Sequence, residues 1–343
     1  MRRDKPIVLV LCGGRSLRLW PLSRYHSKNF FYVFGFSPLE LTLKRFKKIT
    51  PLENIFFVAN QNEKAELYKA KYAKRRNIFF EPLSKNTASA VLLSLLYLRR
   101  YSQQSIIITP VDSLIGNESV FFKAIVKALK AASKGQICTL GIVPKELTIH
   151  FGYIEAGRED AKRIFSVKRF IEKPSAVCAR RLIKKGNCFY NSGIFVSSVS
   201  TLINEYQKYY PRYEDFVRNF GNNKNKITLL YRKIEDIPFD KAIMEKSKCI
   251  KMIKANFSWK DFGTWSAIYE VLPKDERGNV MKGSPFIYNG KNNFIYLDNR
   301  KKKVLLLGLR DVFFIDTKDY SLLAHRNYLD NLKAALKRLE RGK

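Results

Sequence analysis

Short, unbroken apolar runs punctuate the first half of the chain: Ile7 to Leu11, Asn54 to Val58, Ile106 to Thr109 and Ile137 to Leu140. Runs of this length without polar alternation predict strands buried on both faces. Between the third and fourth lies a helical pattern, with Phe121, Ile125 and Leu129 on one face and Phe122 and Val126 beside them. Asn117 is placed to cap that helix and Gly135 to end it. A second helix is predicted through Ala90, Leu93 and Leu96, with Asn86 as its N-cap. Strands alternating with helices predict an α/β fold with a mostly parallel sheet flanked by helices. In such sheets ligands sit beyond the carboxyl ends of the strands. The loops after Leu11, after Thr109 and near Glu81 are therefore where chemistry is expected.

The pattern changes after about Pro273. Short β-like runs follow, Phe294 to Leu297, Val304 to Leu307 and Val312 to Ile315, separated by Asn, Gly, Asp and Lys. A last helix carries Leu329, Leu332, Leu336 and Leu339, a stripe that reads as a packing face. The expected division is 1–273 for an α/β domain and 274–343 for a small β-rich unit with a terminal helix. The longest apolar stretch, Ala88 to Leu98, is too short for a membrane span. The run Ile7 to Cys12 enters Gly13-Gly14 with no small-residue cleavage site, so it reads as a first strand rather than a signal peptide.

With 343 residues, one large domain plus an appendage is the natural size reading. The five cysteines, Cys12, Cys138, Cys178, Cys188 and Cys249, are scattered without CxxC spacing, and the chain has three histidines. That pattern argues against a structural zinc site and suits a reducing, cytoplasmic setting. The net charge of +34 favours anionic partners. The basic residues are spread along the whole chain, and no zinc-finger, RRM or helix-turn-helix signature accompanies them, so no specific nucleic-acid partner is expected.

The first strand runs into Cys12-Gly13-Gly14-Arg15-Ser16-Leu17-Arg18-Leu19-Trp20-Pro21-Leu22-Ser23-Arg24. Paired glycines there let backbone N–H groups approach phosphate, and arginine adds bidentate donors. The string is neither a Walker loop nor GxGxxG. Taken alone, it reads first as a tight strand-to-helix turn with a surface arginine. Further strings follow: Glu81 to Ala88, Pro110-Val111-Asp112, Gly152 to Glu155, Phe170-Ile171-Glu172-Lys173-Pro174, Asn191 to Phe195, Phe239 to Lys246 and Trp259 to Trp265. In this order they resemble the mannose-1-phosphate guanylyltransferases, members of the sugar-nucleotide pyrophosphorylases. The resemblance spans about residues 7 to 320.

That resemblance implies a Rossmann-like nucleotide-diphospho-sugar transferase fold. It also implies Mg²⁺-dependent transfer of GMP from GTP to mannose 1-phosphate, with GDP-mannose and pyrophosphate as products. It assigns Mg²⁺ to Asp112 and Asp261, the departing phosphates to Arg18 and the triphosphate to Lys28. Gly13, Gly14, Lys85, Asn86 and Thr87 are assigned to the nucleotide. Gly152, Glu172, Lys173 and Asn191 are assigned to the sugar phosphate. Some relatives carry an added isomerase domain; the stretch after the β unit leaves no room for one, so a single activity is expected, with self-association into a homodimer. Ser16, Leu17, Ser27, Asn29, Ser113 and the segment Thr148 to Phe151 depart from the family pattern. The last of these falls in the expected sugar pocket. The alternatives are therefore a nucleotidyltransferase for another sugar 1-phosphate, or a catalytically weakened regulatory homologue that binds nucleotide sugar.

Overall fold

The computed structural model describes residues 5–13, 17–25, 37–69, 74–161, 163–220, 224–299 and 301–341. The chain divides into two compact units. One comprises Met1–Gly13 with Thr42–Trp259, the other Gly14–Leu41 with Lys260–Lys343. Whereas the expected division was a single cut near residue 273, the second unit draws on two separate stretches of chain.

Among the described residues, the strands of the first unit's main sheet are β1 (Ile7–Leu11), β2 (Ile55–Asn60), β3 (Ile78–Glu81), β4 (Ser105–Pro110), β6 (Ile137–Ile142), β7 (Tyr153–Ala161), β8 (Ile164–Ile171), β9 (Cys188–Ser198) and β10 (Ile250–Ala255). Two short strands, β5 (Ser113–Ile115) and β11 (Trp259–Asp261), lie outside it. The sheet order is β3-β2-β1-β4-β9-β6-β10-β8-β7. Pairing is parallel from β3 to β4 and between β6 and β10. It is antiparallel wherever β8 or β9 takes part. The sheet is thus mixed: β8 and β9 run against the rest. β8 is reversed because it returns directly from β7 through a tight connection, with Arg163 at φ 65°.

The predicted strands appear with small extensions, and their burial explains why they were readable. All of β2 and β6 is buried, as are the first four residues of β1. Ile7 and Leu9 join a core with Phe56, Val58, Ile106 and Ile108, whereas Val8 and Val10 are equally buried outside that core. Alternate residues therefore serve opposite faces, as the pleat requires.

The helices are α1 (Pro38–Phe46), α2 (Lys64–Lys69), α3 (Thr87–Leu98), α4 (Glu118–Ala132), α5 (Ala176–Lys184), α6 (Val199–Tyr209), α7 (Tyr213–Asn219), α8 (Lys224–Lys233), α9 (Trp265–Val271) and α10 (Leu332–Arg341). α3 is buried almost throughout and packs against α6 and strands β1 to β3. Apolar residues right round a helix are what such a position requires. α4 lies across β6, β9 and β10 through Phe121, Ala124, Ile125 and Ala128. As expected, Asn117 caps it, accepting from the Val120 N–H at 3.3 Å, and Gly135 follows it at φ 74°. No helix among the described residues is long and apolar enough to cross a membrane, and none of the five cysteines is disulfide-bonded.

In the second unit β12 (Val280–Lys282), β14 (Phe294–Leu297) and β16 (Val312–Asp316) stack in parallel, and β17 (Ser321–His325) closes that sheet antiparallel. A second parallel pair joins β13 (Pro285–Tyr288) to β15 (Val304–Leu307). The chain thus coils, each turn laying a strand on the one before. Phe294 and Phe313 stack inside at 5.3 Å. Asparagines stack at the corner: the Asn293 backbone N–H and Nδ2 both donate to Asn279 Oδ1, at 3.0 and 3.1 Å. Asn293 Nδ2 also donates to the Leu309 carbonyl at 2.9 Å, and Asn293 Oδ1 accepts from Val312 N–H at 3.0 Å. Asn293 is fully buried. Asn293→Ala should therefore strand several buried polar groups and destabilise this unit by about 2–4 kcal/mol. Urea unfolding followed by tryptophan fluorescence checks this; a loss below ~0.5 kcal/mol would contradict it.

Of the expected leucine stripe, Leu329 falls in the turn Arg326–Asn331 that precedes α10. Leu332 and Leu336 are buried, but Leu339 is 62% exposed. The packing face therefore ends at Leu336.

Candidate active site

The order β3-β2-β1-β4 puts a chain reversal between β1 and β4, since β2 and β3 lie to one side of β1 and β4 to the other. Such a reversal opens a crevice at the carboxyl ends of the strands. Leu11 and Pro110 are register partners there. Gly13 and Asp112, each two residues further on, therefore leave the sheet side by side.

Gly13 is exposed, and a Cβ added to it would meet nothing within 4 Å. Asp112 is 7% exposed. The loop that carries it is tied down on each side. Val111 N–H donates to the Leu11 carbonyl at 3.3 Å, and the Val111 carbonyl accepts from Thr42 Oγ1 at 2.8 Å. The Ser113 carbonyl accepts from Arg45 Nη1 at 3.3 Å, and Ser113 Oγ accepts from Trp259 Nε1 at 3.4 Å. Burial lowers the Arg45 guanidinium to about 10, with Glu118 opposing. Gly14 and Lys28 lie outside the described residues.

The loop after β3 is organised by α3. Asn86 caps the helix, its Oδ1 accepting from the Thr87 N–H at 3.0 Å. Thr87 Oγ1 accepts from the Phe239 N–H at 2.8 Å, and Lys85 Nζ donates to the Ile234 carbonyl at 3.0 Å. Each of the three side chains thus makes at least one bond that fixes the loop itself. At its root, burial pushes the Glu81 carboxyl up to about 8 despite hydrogen bonds from Ser89 and Tyr231.

A second cluster gathers Gly152, Glu172, Lys173 and Asn191, distant in sequence. The Asn191 N–H donates to the Gly152 carbonyl at 2.8 Å. A Cβ on Gly152 would lie 2.8 Å from Glu172 Oε2. Lys173 Nζ is 2.9 Å from Glu172 Oε1, with the Lys173 backbone at φ 46°. A lysine in the left-handed region is uncommon and is held there by its surroundings. The cluster lies beside the end of β4, because a Cβ on Gly193 would touch Pro110 at 3.5 Å.

Two members of this cluster had no role in the sequence reading: Asp240 and Glu245, in and just after the π-turn Asp240–Met244. Asn191 Nδ2 donates to Asp240 Oδ1 at 2.8 Å, and the Glu172 N–H donates to Glu245 Oε1 at 2.8 Å. Burial, then the nearby Glu172 carboxylate, push Asp240 up to about 7, with Lys173 opposing. Their segment, Phe239 to Lys246, was recognisable as a string, but the bonds to Asn191 and Glu172 are not legible in it. The divergent segment before Gly152 is ordered by aromatic contacts: Phe151 meets Trp259 at 4.8 Å and Tyr190 at 5.5 Å. Tyr153 donates to the Thr148 carbonyl at 2.6 Å, whereas His150 is exposed.

Arg18 and Asp261 belong to the second unit. Arg18 is half-buried in the turn Leu17–Leu19, which Trp265 Nε1 anchors by donating to the Trp20 carbonyl at 2.9 Å. Asp261 Oδ1 accepts from the Gly263 N–H at 2.9 Å, and Thr264 caps α9 just beyond. Among the described residues no three His, Cys, Asp or Glu side chains form a preassembled metal cage. Magnesium needs none, because it commonly takes one or two carboxylates and completes its shell with substrate phosphate and water.

Known proteins resemble this chain along most of its length. The nucleotidyl transferase family model matches residues 7–278. A mannose-1-phosphate guanylyltransferase from Klebsiella pneumoniae is 30% identical over 97% of this chain and 74% of its own. A solved Thermus thermophilus protein named mannose-1-phosphate geranyltransferase superposes with a TM-score of 0.87 at 27% identity, over 98% of this chain and 99% of its own. UDP-glucose pyrophosphorylase with UDP-glucose shares the fold at 14% identity and a TM-score of 0.51, over 78% of this chain and 96% of its own. A family model covering most of the chain and a relative aligned along nearly all of it lead to one assignment: the chain is an enzyme of the nucleotidyl transferase family, on its mannose-1-phosphate guanylyltransferase branch.

Proposed function

We propose that this enzyme transfers GMP from GTP to mannose 1-phosphate, giving GDP-mannose and pyrophosphate. The observation that carries the reading is the gathering of Gly152, Glu172, Lys173 and Asn191 beside the β1–β4 crevice, where Gly13 and Asp112 emerge. An oxygen of the sugar phosphate attacks the α-phosphorus of GTP, and the bond to the bridging oxygen of the β-phosphate breaks. No covalent enzyme intermediate is needed. What the reaction does need is two polyanions held together with their repulsion offset.

In this reading Lys173 meets the sugar phosphate, Glu172 and Asn191 hold sugar hydroxyls, and Gly152 leaves room for them. The backbone at Gly13 and Gly14, with Arg18 and Lys28, receives the triphosphate. The loop Lys85, Asn86, Thr87 faces the base. Asp112 and Asp261 offer hard carboxylate oxygens of the kind Mg²⁺ prefers, and the buried setting of Asp112 limits competition from water. Mg²⁺ bound to them would offset the negative charge that builds on phosphorus and on departing pyrophosphate. We place the enzyme in the cytoplasm, where GTP is found. We assign pairing of two copies to the second unit, whose β13 and β15 turn Phe286, Tyr288, Leu305 and Leu307 outward.

The test is pyrophosphate release from a panel of nucleoside triphosphates and sugar 1-phosphates with Mg²⁺. GTP with mannose 1-phosphate should be the fastest pair. A different best sugar would favour the alternative suggested by the divergent Thr148 to Phe151 segment. Nucleotide-sugar binding with no turnover on any pair would identify a regulatory homologue. Gly152→Ala should push Glu172 aside and raise KM for the sugar 1-phosphate about tenfold, equivalent to ~1.4 kcal/mol, with KM for GTP unchanged. Steady-state kinetics varying each substrate in turn checks this.

A further inference from the structure

The Asn191 amide is committed on three sides. Its Oδ1 accepts from Thr139 Oγ1 at 2.8 Å and from the Gly193 N–H at 3.2 Å. Its Nδ2 donates to Asp240 Oδ1 at 2.8 Å. An amide oxygen has two lone pairs and an amide nitrogen two protons. Both lone pairs are therefore used within the protein, and one of the two protons is spent on Asp240. What Asn191 can still offer is a single N–H donor. An unconstrained asparagine could turn over and offer an acceptor instead. Here the turn would point its NH₂ at the Gly193 N–H, a clash of two donors whatever the state of Asp240, and above about pH 7 it would also point its oxygen at the Asp240 carboxylate.

We propose that Asp240 is a positioning residue that fixes Asn191 as a hydrogen-bond donor, so that the site selects a sugar phosphate presenting an acceptor oxygen at that point. This deepens the sugar-phosphate role proposed for Asn191 and rests on it. Glu245 acts in the same direction on Glu172: by accepting its backbone N–H at 2.8 Å, it fixes the start of the Glu172–Lys173 pair. The segment Phe239 to Lys246 is then the frame on which the sugar side of the site is aligned. Its π-turn geometry is a form often found next to functional sites.

A set of variants separates this from a structural role. Asp240→Ala removes the acceptor, and should raise Kd and KM for mannose 1-phosphate about tenfold, with KM for GTP within about twofold. Asp240→Asn can still accept through its amide oxygen and should restore sugar-phosphate binding to within about threefold of wild type. The decisive variant is the exchange Asn191→Asp with Asp240→Asn. It rebuilds the internal bond with donor and acceptor swapped, keeps the net charge, and turns an acceptor toward the sugar. It should melt near the wild-type temperature yet bind mannose 1-phosphate at least tenfold more weakly by calorimetry.

An exchange variant that binds mannose 1-phosphate as wild type does would overturn the proposal. So would equal changes in both KM values for Asp240→Ala, or failure of Asp240→Asn to recover. Calorimetry needs no turnover, so the outcomes remain distinct. A wild-type protein that binds mannose 1-phosphate without releasing pyrophosphate ends the proposed reaction and leaves the exchange experiment decisive. One that binds no mannose 1-phosphate ends both.

Discussion

Asp112→Asn should lower the rate of pyrophosphate release about 10³-fold, equivalent to ~4 kcal/mol of lost transition-state stabilisation, while leaving the fold intact. The substitution keeps size and shape and removes one negative charge. The backbone around Asp112 is held by Leu11, Thr42 and Arg45, and these ties remain in the variant. In the proposed site, what is lost would be a hard anionic oxygen for Mg²⁺, and with it much of the offset for charge building on the leaving pyrophosphate. The Mg²⁺ concentration for half-maximal rate should rise as well, and excess Mg²⁺ should recover part of the loss. Stopped-assay kinetics across a Mg²⁺ series, with circular dichroism as a fold control, reads both effects. A variant within threefold of wild type would remove Asp112 from the metal site.

The second large effect concerns stability. Glu81 is 4% exposed, and its carboxyl is pushed up to about 8 from an ordinary 4.5. Between those two pH values the folded chain keeps a proton that the unfolded chain has released. Stability therefore falls as pH rises through this window and levels off above about 8. The full span is on the order of 5 kcal/mol, less whatever local relaxation recovers. Glu81→Gln keeps the shape and an acceptor for Ser89 but cannot ionise. Relative to wild type it should be about 3–5 kcal/mol more stable at pH 8 and nearly equal at pH 5. Asp240, pushed up to about 7 from 3.8, contributes in the same direction, so the variant retains a smaller slope. Urea unfolding at pH 5, 6.5 and 8 measures these differences. Equal slopes for wild type and variant would mean that Glu81 is already ionised at neutral pH.

Much of the first unit could be read from the chain because its central strands are buried on both faces. Ile7 to Leu11 has no polar position, and Ile137 to Leu140 has only the small, fully buried Thr139. The hairpin β7–β8 gave no such signal: its far end, Gly157 to Ala161, is exposed on both faces, and Glu155, Arg158, Glu159, Lys168 and Arg169 interrupt the apolar pattern. Its antiparallel course, and that of β9, turned an expected mostly parallel sheet into a mixed one. In the second unit the β-like runs announced strands. That successive strands would stack in parallel, with Asn279 and Asn293 paired at the corner, depends on contacts between turns that no local pattern encodes.

The site divides the same way. Gly152, Glu172, Lys173 and Asn191 were each legible through a family string, and the fold brings them together. Asp240 and Glu245 were not, because a carboxylate that acts by holding another residue has no signature of its own. Its role appears only once Asn191 Nδ2 is seen to end on it. The loop after β3 shows the converse. Asn86 was legible both as a helix cap and as a base-facing residue, and the bond to the Thr87 N–H establishes the first.

The two-part origin of the second unit sets an order of events at the ribosome. Trp20 and Leu22 are buried in a unit that also draws on residues from 260 onward. Trp265 binds the Trp20 carbonyl, Asp319 pairs with Tyr25, and Glu340 with Arg24, the last across 316 positions. At a synthesis speed of about 5–20 residues per second, that separation is roughly 15–60 s. Throughout that interval the contacts of Trp20, Arg24 and Tyr25 with the later segment wait for their partners to be made. The turn bearing Arg18 is thus anchored only by a segment translated 245 positions after Trp20.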